Sequence, residues 1–300
     1  MTSEIRCEEY IAHRNYPLRV ATFNDLHVCS TFGLFPEDTT RQSDLNVGQL
    51  KLQEYFNSFT ETCKEVKPNM VWIPGDVIQG KNPAEGGKYI MNIELKDQIK
   101  YAAELISQLC QKVPSIQEVW IWGGTQYHGS RDFSVEEDTA TLLRADYGVK
   151  ALYKKEYSYI DIKYKGMVKH LWITHVAPDG SMYPEMAMGR DMMTWQEAVG
   201  KGKLRPIDMI IRAHKHEFVE VHKATIRALQ LPCWQFFVPY EGAIKNFAKF
   251  QPDIGSVVLL FDDKLRLSTW HLLYPNVEDA ESMIEVDLDR GVGRKRLSRK

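Results

Sequence analysis

Leu18-Arg19-Val20-Ala21-Thr22-Phe23-Asn24-Asp25-Leu26-His27 is an apolar run that stops at two side chains able to bind a metal. A short apolar run of this kind reads as a strand covered on both faces. Four more segments repeat the pattern. Met70-Val71-Trp72-Ile73-Pro74-Gly75 ends at Asp76, and Val119-Trp120-Ile121-Trp122 opens into Gly123-Gly124-Thr125-Gln126-Tyr127-His128. His170-Leu171-Trp172-Ile173-Thr174 ends at His175, and Ile207-Asp208-Met209-Ile210-Ile211 leads to His214 and His216. In layered α/β folds ligands sit where such strands end. The expectation is that five distant segments deliver Asp and His to one edge of one sheet, as the donor set of a metal site.

The intervening segments fit that arrangement. Leu52, Tyr55, Phe56, Phe59, Cys63 and Val66 recur at helical spacing before Pro68-Asn69. Leu95, Ile99, Ala102, Ile106, Leu109 and Val113 do the same before Pro114. Ser134-Val135-Glu136-Glu137 is a capping-box pattern with Ser134 as N-cap of a third helix to about Asp146. Strand and helix alternating three times imply a largely parallel sheet with helices on its faces. Residues 29–46 and 79–87 read as loops. From Tyr157 the character changes. A hairpin turning at Lys165-Gly166 and short segments at Phe218–Val221, Thr225–Leu231, Ser256–Phe261 and Leu265–Leu273, the last two joined by Asp262-Asp263-Lys264, predict a strand-rich, meander-like second half.

Residues 1–277 read as one domain, and 278–300 as a charged, solvated tail ending in Arg294, Lys295, Arg296, Arg299 and Lys300. The formal net charge of −2 gives no global pull towards nucleic acid. Cys7, Cys29, Cys63, Cys110 and Cys233 are widely spaced with no Cys-x-x-Cys pair, which argues against a zinc ribbon and against a disulfide framework. Met1-Thr2-Ser3-Glu4-Ile5-Arg6 has no hydrophobic targeting core, and no apolar stretch reaches membrane-spanning length. A cytoplasmic protein without membrane association is expected.

Carboxylate and imidazole donors suit manganese, zinc, iron, nickel or cobalt. Asp25, His27, Asp76, His128, His175, His214 and His216 are too many for one tetrahedral ion, so two ions about 3.5–4 Å apart fit better. In this order the motifs Asp25-Leu26-His27, Gly75-Asp76, Gly124-Thr125-Gln126-Tyr127-His128, His175 and His214-Lys215-His216 resemble those of the calcineurin-like metallophosphoesterase superfamily. Its pattern is D-x-H, G-D, G-N-H, H and G-H-x-H, each at a strand end. The resemblance spans roughly Val20 to Glu217. It implies an α/β fold, a four-layer α/β/β/α sandwich of two mixed sheets. It also implies two divalent ions, manganese foremost, with Asp25, His27 and His216 on the first, His175 and His214 on the second and Asp76 bridging. A bridging hydroxide would attack a phosphate ester, phosphodiesters being favoured. A phosphomonoesterase, a protein phosphatase and a non-catalytic scaffold of the same fold are the alternatives. Nucleic acid stays within the substrate class, although the net charge does not point to it.

The sequence departs from the family pattern at Thr125, where the metal-binding Asn is usual, and the imidazole arrives three residues later at His128. G-T-x-x-H variants are similar to phage and prokaryotic members, which would place the chain in a host cytoplasm if phage-encoded. His128 either takes the catalytic histidine's part at the leaving oxygen or serves as a ligand of the second ion. Gly123-Gly124 and Gly129 are expected to let the backbone turn tightly there. Ala213 replaces the Gly of G-H-x-H, and Gln79 stands where many members carry an acid. Arg190 and Arg212 are candidate phosphate contacts, because guanidinium forks match phosphate oxygens. Trp72, Trp120, Trp122 and Trp172 read as core, Met182, Met186, Met188, Met192 and Met193 as packing under a long loop, and His13, His170, His222 and His271 as ordinary histidines.

Overall fold

All five apolar runs form strands. The computed structural model describes residues 15–37, 39–81, 86–92, 94–129, 134–176, 183–223, 225–239, 244–245 and 251–276. The tail from 278, together with Cys7, His13 and Met182, lies outside them. In chain order the elements are β1 (Leu18–Thr22), α1 (Val47–Val66), β2 (Met70–Pro74), α2 (Leu95–Lys112), β3 (Glu118–Trp122), α3 (Val135–Asp146), β4 (Ala151–Tyr153), β5 (Tyr157–Tyr164), β6 (Met167–Thr174), α4 (Pro184–Gly200), β7 (Met209–Arg212), β8 (Val219–His222), β9 (Arg227–Gln230), β10 (Ile254–Phe261) and β11 (Leu267–Tyr274).

The strands make two mixed sheets, ordered β11-β10-β1-β2-β3-β4 and β5-β6-β7-β9-β8. In the first, β1 to β4 run parallel and β10 pairs antiparallel with β1. In the second, β6, β7 and β9 run parallel, flanked by antiparallel β5 and β8. Three apolar clusters separate four layers. Val20, Trp72, Trp122, Leu171, Ile211 and Leu259 fill the space between the sheets. Phe56, Phe59, Ile106 and Leu143 cover the first sheet's outer face, and Met188, Met192 and Trp195 cover the second's. The result is the α/β/β/α sandwich of two mixed sheets. A buried indole such as Trp72 or Trp122 stabilises the sandwich by about 3–5 kcal/mol relative to alanine.

Local signals explain the helix ends. Asn46 and Gln49 form a reciprocal capping box that starts α1, and Lys67 closes the helix in the left-handed conformation at φ 54°. Ser134 caps α3 by accepting from the Glu137 amide at 3.2 Å.

Three expectations are corrected, and one strand is added. The five strand ends do not lie on one sheet: β1, β2 and β3 belong to the first, β6 and β7 to the second. The second half is not a simple meander. The hairpin of β10 and β11 returns to the first sheet, because every residue of β10 is buried and the strand needs cover on both faces. β4 has only three residues, too short for any periodicity to announce it. Met186, Met188, Met192 and Met193 belong to α4 rather than to a loop. Pro184 opens that helix, Met188 and Met192 pack inward, and Met186 and Met193 face out. No helix among the described residues is long and apolar enough to cross a membrane.

Candidate metal centre

The loops after β1 and β2 run side by side beyond the strands. The Asp25 amide donates to the Gly75 carbonyl at 3.3 Å, His27 to Asp76 at 3.1 Å and Val28 to Val77 at 3.1 Å. The loops after β6 and β7 pair likewise through the Ala213 amide and the His175 carbonyl, at 3.0 Å. These two pairs of loops face each other across the sandwich. Asp25 (φ 50°), His27 (φ 44°), Asp76 (φ 46°), His214 (φ 75°) and His216 (φ 58°) all occupy the left-handed region. Non-glycine residues avoid it because the β-carbon crowds the backbone, at about 1–2 kcal/mol each. Five such residues at one place mark a backbone shaped for its side chains rather than for its own comfort.

The side chains form three overlapping groups, each with its donor atoms within 4.8 Å of one another: Asp25, His27 and His216; His27, Asp76 and His128; and Asp76, His175 and His214. Their hydrogen bonds leave donor atoms open towards the centre. His175 Nδ1 donates to the Pro74 carbonyl at 2.6 Å, so Nε2 faces inward, 2.9 Å from Asp76 Oδ2. Asn24 Nδ2 holds Asp25 Oδ2 at 2.6 Å, leaving Oδ1 inward, 3.3 Å from His216 Nε2. His27 Nε2 and His216 Nε2 stand 3.1 Å apart. Asp25 Oδ1 and His175 Nε2 are buried, and their polar neighbours are other donor atoms of the centre, His216 Nε2 at 3.3 Å and Asp76 Oδ2 at 2.9 Å. Buried polar atoms in that state are expensive unless something else meets them. A set of carboxylate oxygens and imidazole nitrogens facing one small space fits divalent cations.

Electrostatics agree. Burial would raise Asp25 and Asp76, but the neighbouring histidines outweigh it. His175 and His216 bring Asp25 down to about 2, and His175, His128 and His27 hold Asp76 well below its ordinary value. Burial would lower His175, yet Asp76 and Asp25 push it up to about 9. His216 is likewise raised, against burial, by Cys233 and Asp25. Burial and the neighbouring histidines depress His27, and burial with His175 brings His214 down to about 4. In the metal-free chain each side of the centre thus holds one proton where a cation would stand. Manganese uptake at about neutral pH is expected to release about one proton per ion, with affinity rising about tenfold per pH unit until His175 titrates. Calorimetry in buffers of different ionisation enthalpy measures this, and a pH-independent affinity refutes it. The His175 charge stabilises the metal-free fold fully below its ordinary value of 6.5 and is lost as pH rises through about 9.

The third strand end is built differently. Thr125 turns onto Asp76: its amide donates to Oδ1 at 2.6 Å, and its hydroxyl lies 3.1 and 3.2 Å from the two oxygens. His128 packs edge-on against His27, ring centroids 4.5 Å apart, and its Nδ1 donates to the Gln79 carbonyl at 2.8 Å. Gly124 is required for close approach rather than for a turn: a β-carbon there would lie 2.1 Å from Asp76 Oδ1 and 2.9 Å from Glu136 Oε1. At Gly75 the glycine answers both demands, with φ at 84° and the His175 ring 2.7 Å from where a β-carbon would stand.

Arg212 binds Asp191 through Nε at 3.0 Å and Nη2 at 2.7 Å, and the Val176 carbonyl through Nη1 at 2.9 Å. Arg190 is exposed on α4. Two residues at the centre carried no motif of their own, Asn24 beside Asp25 and Glu136 in the first turn of α3. The only signal for Glu136 was a second glutamate beside the one that caps the helix.

No family model matches the sequence, and no curated protein matches it. Among solved structures, an archaeal phosphodiesterase aligns at 12% identity and TM-score 0.41, over 86% of this chain and 100% of its own. Vacuolar protein sorting 29 from Cryptosporidium parvum gives 12% and 0.40, over 85% and 98%. The phosphoesterase Yfce from E. coli gives 12% and 0.38, over 84% and 98%. Likenesses of this size leave the function to be argued from the centre itself.

Proposed function

We propose that the chain is a metal-dependent phosphoesterase acting at a two-ion centre, with phosphodiesters as preferred substrates. The observation that supports it most is the pair of largely buried groups, Asp25-His27-His216 and Asp76-His175-His214, whose carboxylate and imidazole donor atoms converge within 4.8 Å of one another. When bound, two divalent ions supply Lewis acidity towards the phosphoryl oxygens and an acidified water as nucleophile. Manganese is the first choice for such donors, with iron, zinc, nickel and cobalt in the same class.

The protein's own part is to fix the donors in advance. Asp76, reached by donors from both sides, is the bridging carboxylate, and Thr125 sets its orientation. Asn24 and the His214 amide hold the outer oxygen of Asp25. The Gln79 carbonyl fixes the His128 proton on Nδ1, so Nε2 presents a lone pair to the His27 side. That tautomer is the one a ligand needs, and donation to a leaving oxygen takes the doubly protonated ring. Arg190, on α4, is carried forward as a candidate phosphate contact. Arg212 is committed to Asp191 and ties α4 to the loop of His175. Cys29, Cys110 and Cys233 are thiols rather than disulfides, which fits a reducing compartment such as the cytoplasm.

A manganese-supplemented assay on p-nitrophenyl phosphate, bis-p-nitrophenyl phosphate and single-stranded DNA tests the reading. Hydrolysis of the diester in preference to the monoester is expected. Preference for the monoester moves the reading to a phosphomonoesterase or protein phosphatase. A chain that binds two ions and cleaves none of the three substrates is a scaffold of this fold.

A further inference from the structure

We propose that Glu136 is a positioning carboxylate for the second ion, filling the role that Thr125 leaves open. The inference rests on the two-ion reading. The second group holds only Asp76, His175 and His214, and Thr125 has turned both its amide and its hydroxyl onto Asp76. Glu136 approaches from α3. It stands at the second position of the first helical turn, where an acid favoured by the helix dipole ordinarily faces water. Glu137 meets the Ser134 cap and is exposed, whereas Glu136 is only 5% exposed.

The Glu136 carboxylate lies against Gly124, beside Asp76. A β-carbon at residue 124 would collide with Asp76 Oδ1 and crowd Glu136 Oε1 together, so the missing side chain is what lets the two acids converge. The Gly124 amide donates to Glu136, and the charges of Asp76 and His175 act on it. Two buried carboxylates side by side repel, and burial with the charge of Asp76 pushes Glu136 up to about 7, so the pair favours a proton or a cation beside it. His175 Nε2, buried and 2.9 Å from Asp76 Oδ2, belongs to the same group and faces the space that such a cation would take. Glu136 is outside the tight three-residue group. It would therefore act on the second ion from outside the three ligands, adding negative charge to that side of the centre.

Manganese binding to the full chain, by calorimetry and by metal content after gel filtration, tests the assignment. The unaltered chain is expected to take up two ions. Glu136→Gln keeps the shape and an acceptor for the Gly124 amide. It should hold the first ion normally, weaken the second about 10–100-fold, and leave the melting temperature of the metal-free chain unchanged. A purely structural glutamate would lower that temperature and spare the ion. Glu136→Asp keeps the charge and withdraws it by one methylene. A severalfold weaker second ion is expected, and this variant decides the matter if the glutamine variant does not fold. Wild-type affinity for both ions in either folded variant overturns the assignment alone. An unaltered chain that takes up no ion overturns the two-ion reading, and this proposal with it.

Discussion

Asp76→Asn is expected to abolish hydrolysis, lowering kcat/KM by about 10³-fold or more, and to empty the second ion site. Asp76 is the one carboxylate shared by two of the three donor groups, and His175, His128 and His27 all act on its charge. An amide keeps the shape and one oxygen but removes that charge, so each ion loses attraction and the second loses its only carboxylate in the three-residue group. The metal-free variant carries a signature of its own. His175 loses the nearer of the two acids that hold its proton, so its value falls from about 9 and the stability lost between pH 6.5 and 9 shrinks. Turnover on bis-p-nitrophenyl phosphate with metal content in parallel measures the main effect. Wild-type turnover in this variant refutes the bridging role.

Removing the ions is expected to lower the melting temperature by about 10 °C. Two ions, each at about a hundred times its dissociation constant, stabilise the folded chain by about 5 kcal/mol in all, at roughly 2 °C or more per kcal/mol for a chain of this size. The strained backbone makes the same point from the metal-free side. Asp25, His27, Asp76, His214 and His216 are held at positive φ, and without cations only their hydrogen bonds and the sheets beneath them oppose relaxation. Scanning calorimetry with manganese and with EDTA compares the two states. Loss of stability is expected together with amide exchange in residues 24–28, 75–79 and 213–217, the strand cores staying protected. Equal melting temperatures at saturating manganese refute ion binding to the native state.

The strand ends were legible because they rest on short-range chemistry. Apolar runs such as Val119-Trp120-Ile121-Trp122 demand burial wherever they lie, and Asp25, Asp76, His175, His214 and His216 follow such runs without exception. Helices α1 to α3 were legible for the same reason, since their caps and periodicity are local. What could not be read was which sheet each strand joins. β10 lies beside β1 although more than two hundred residues separate them, and nothing local in Ile254–Phe261 names that partner.

The sequence by itself determined the donor types, their order and their place after buried strands. Only the tertiary structure decided that β1, β2 and β3 meet β6 and β7 across two sheets, that Thr125 serves Asp76, that His128 sits beside His27, and that Glu136 enters from a helix. The physical reason is distance along the chain. A strand end is fixed by the residues next to it, whereas a centre is fixed by contacts between segments that share no local pattern. Those contacts form only once the space between two sheets is filled and the backbone is held, against its own preference, where the side chains converge.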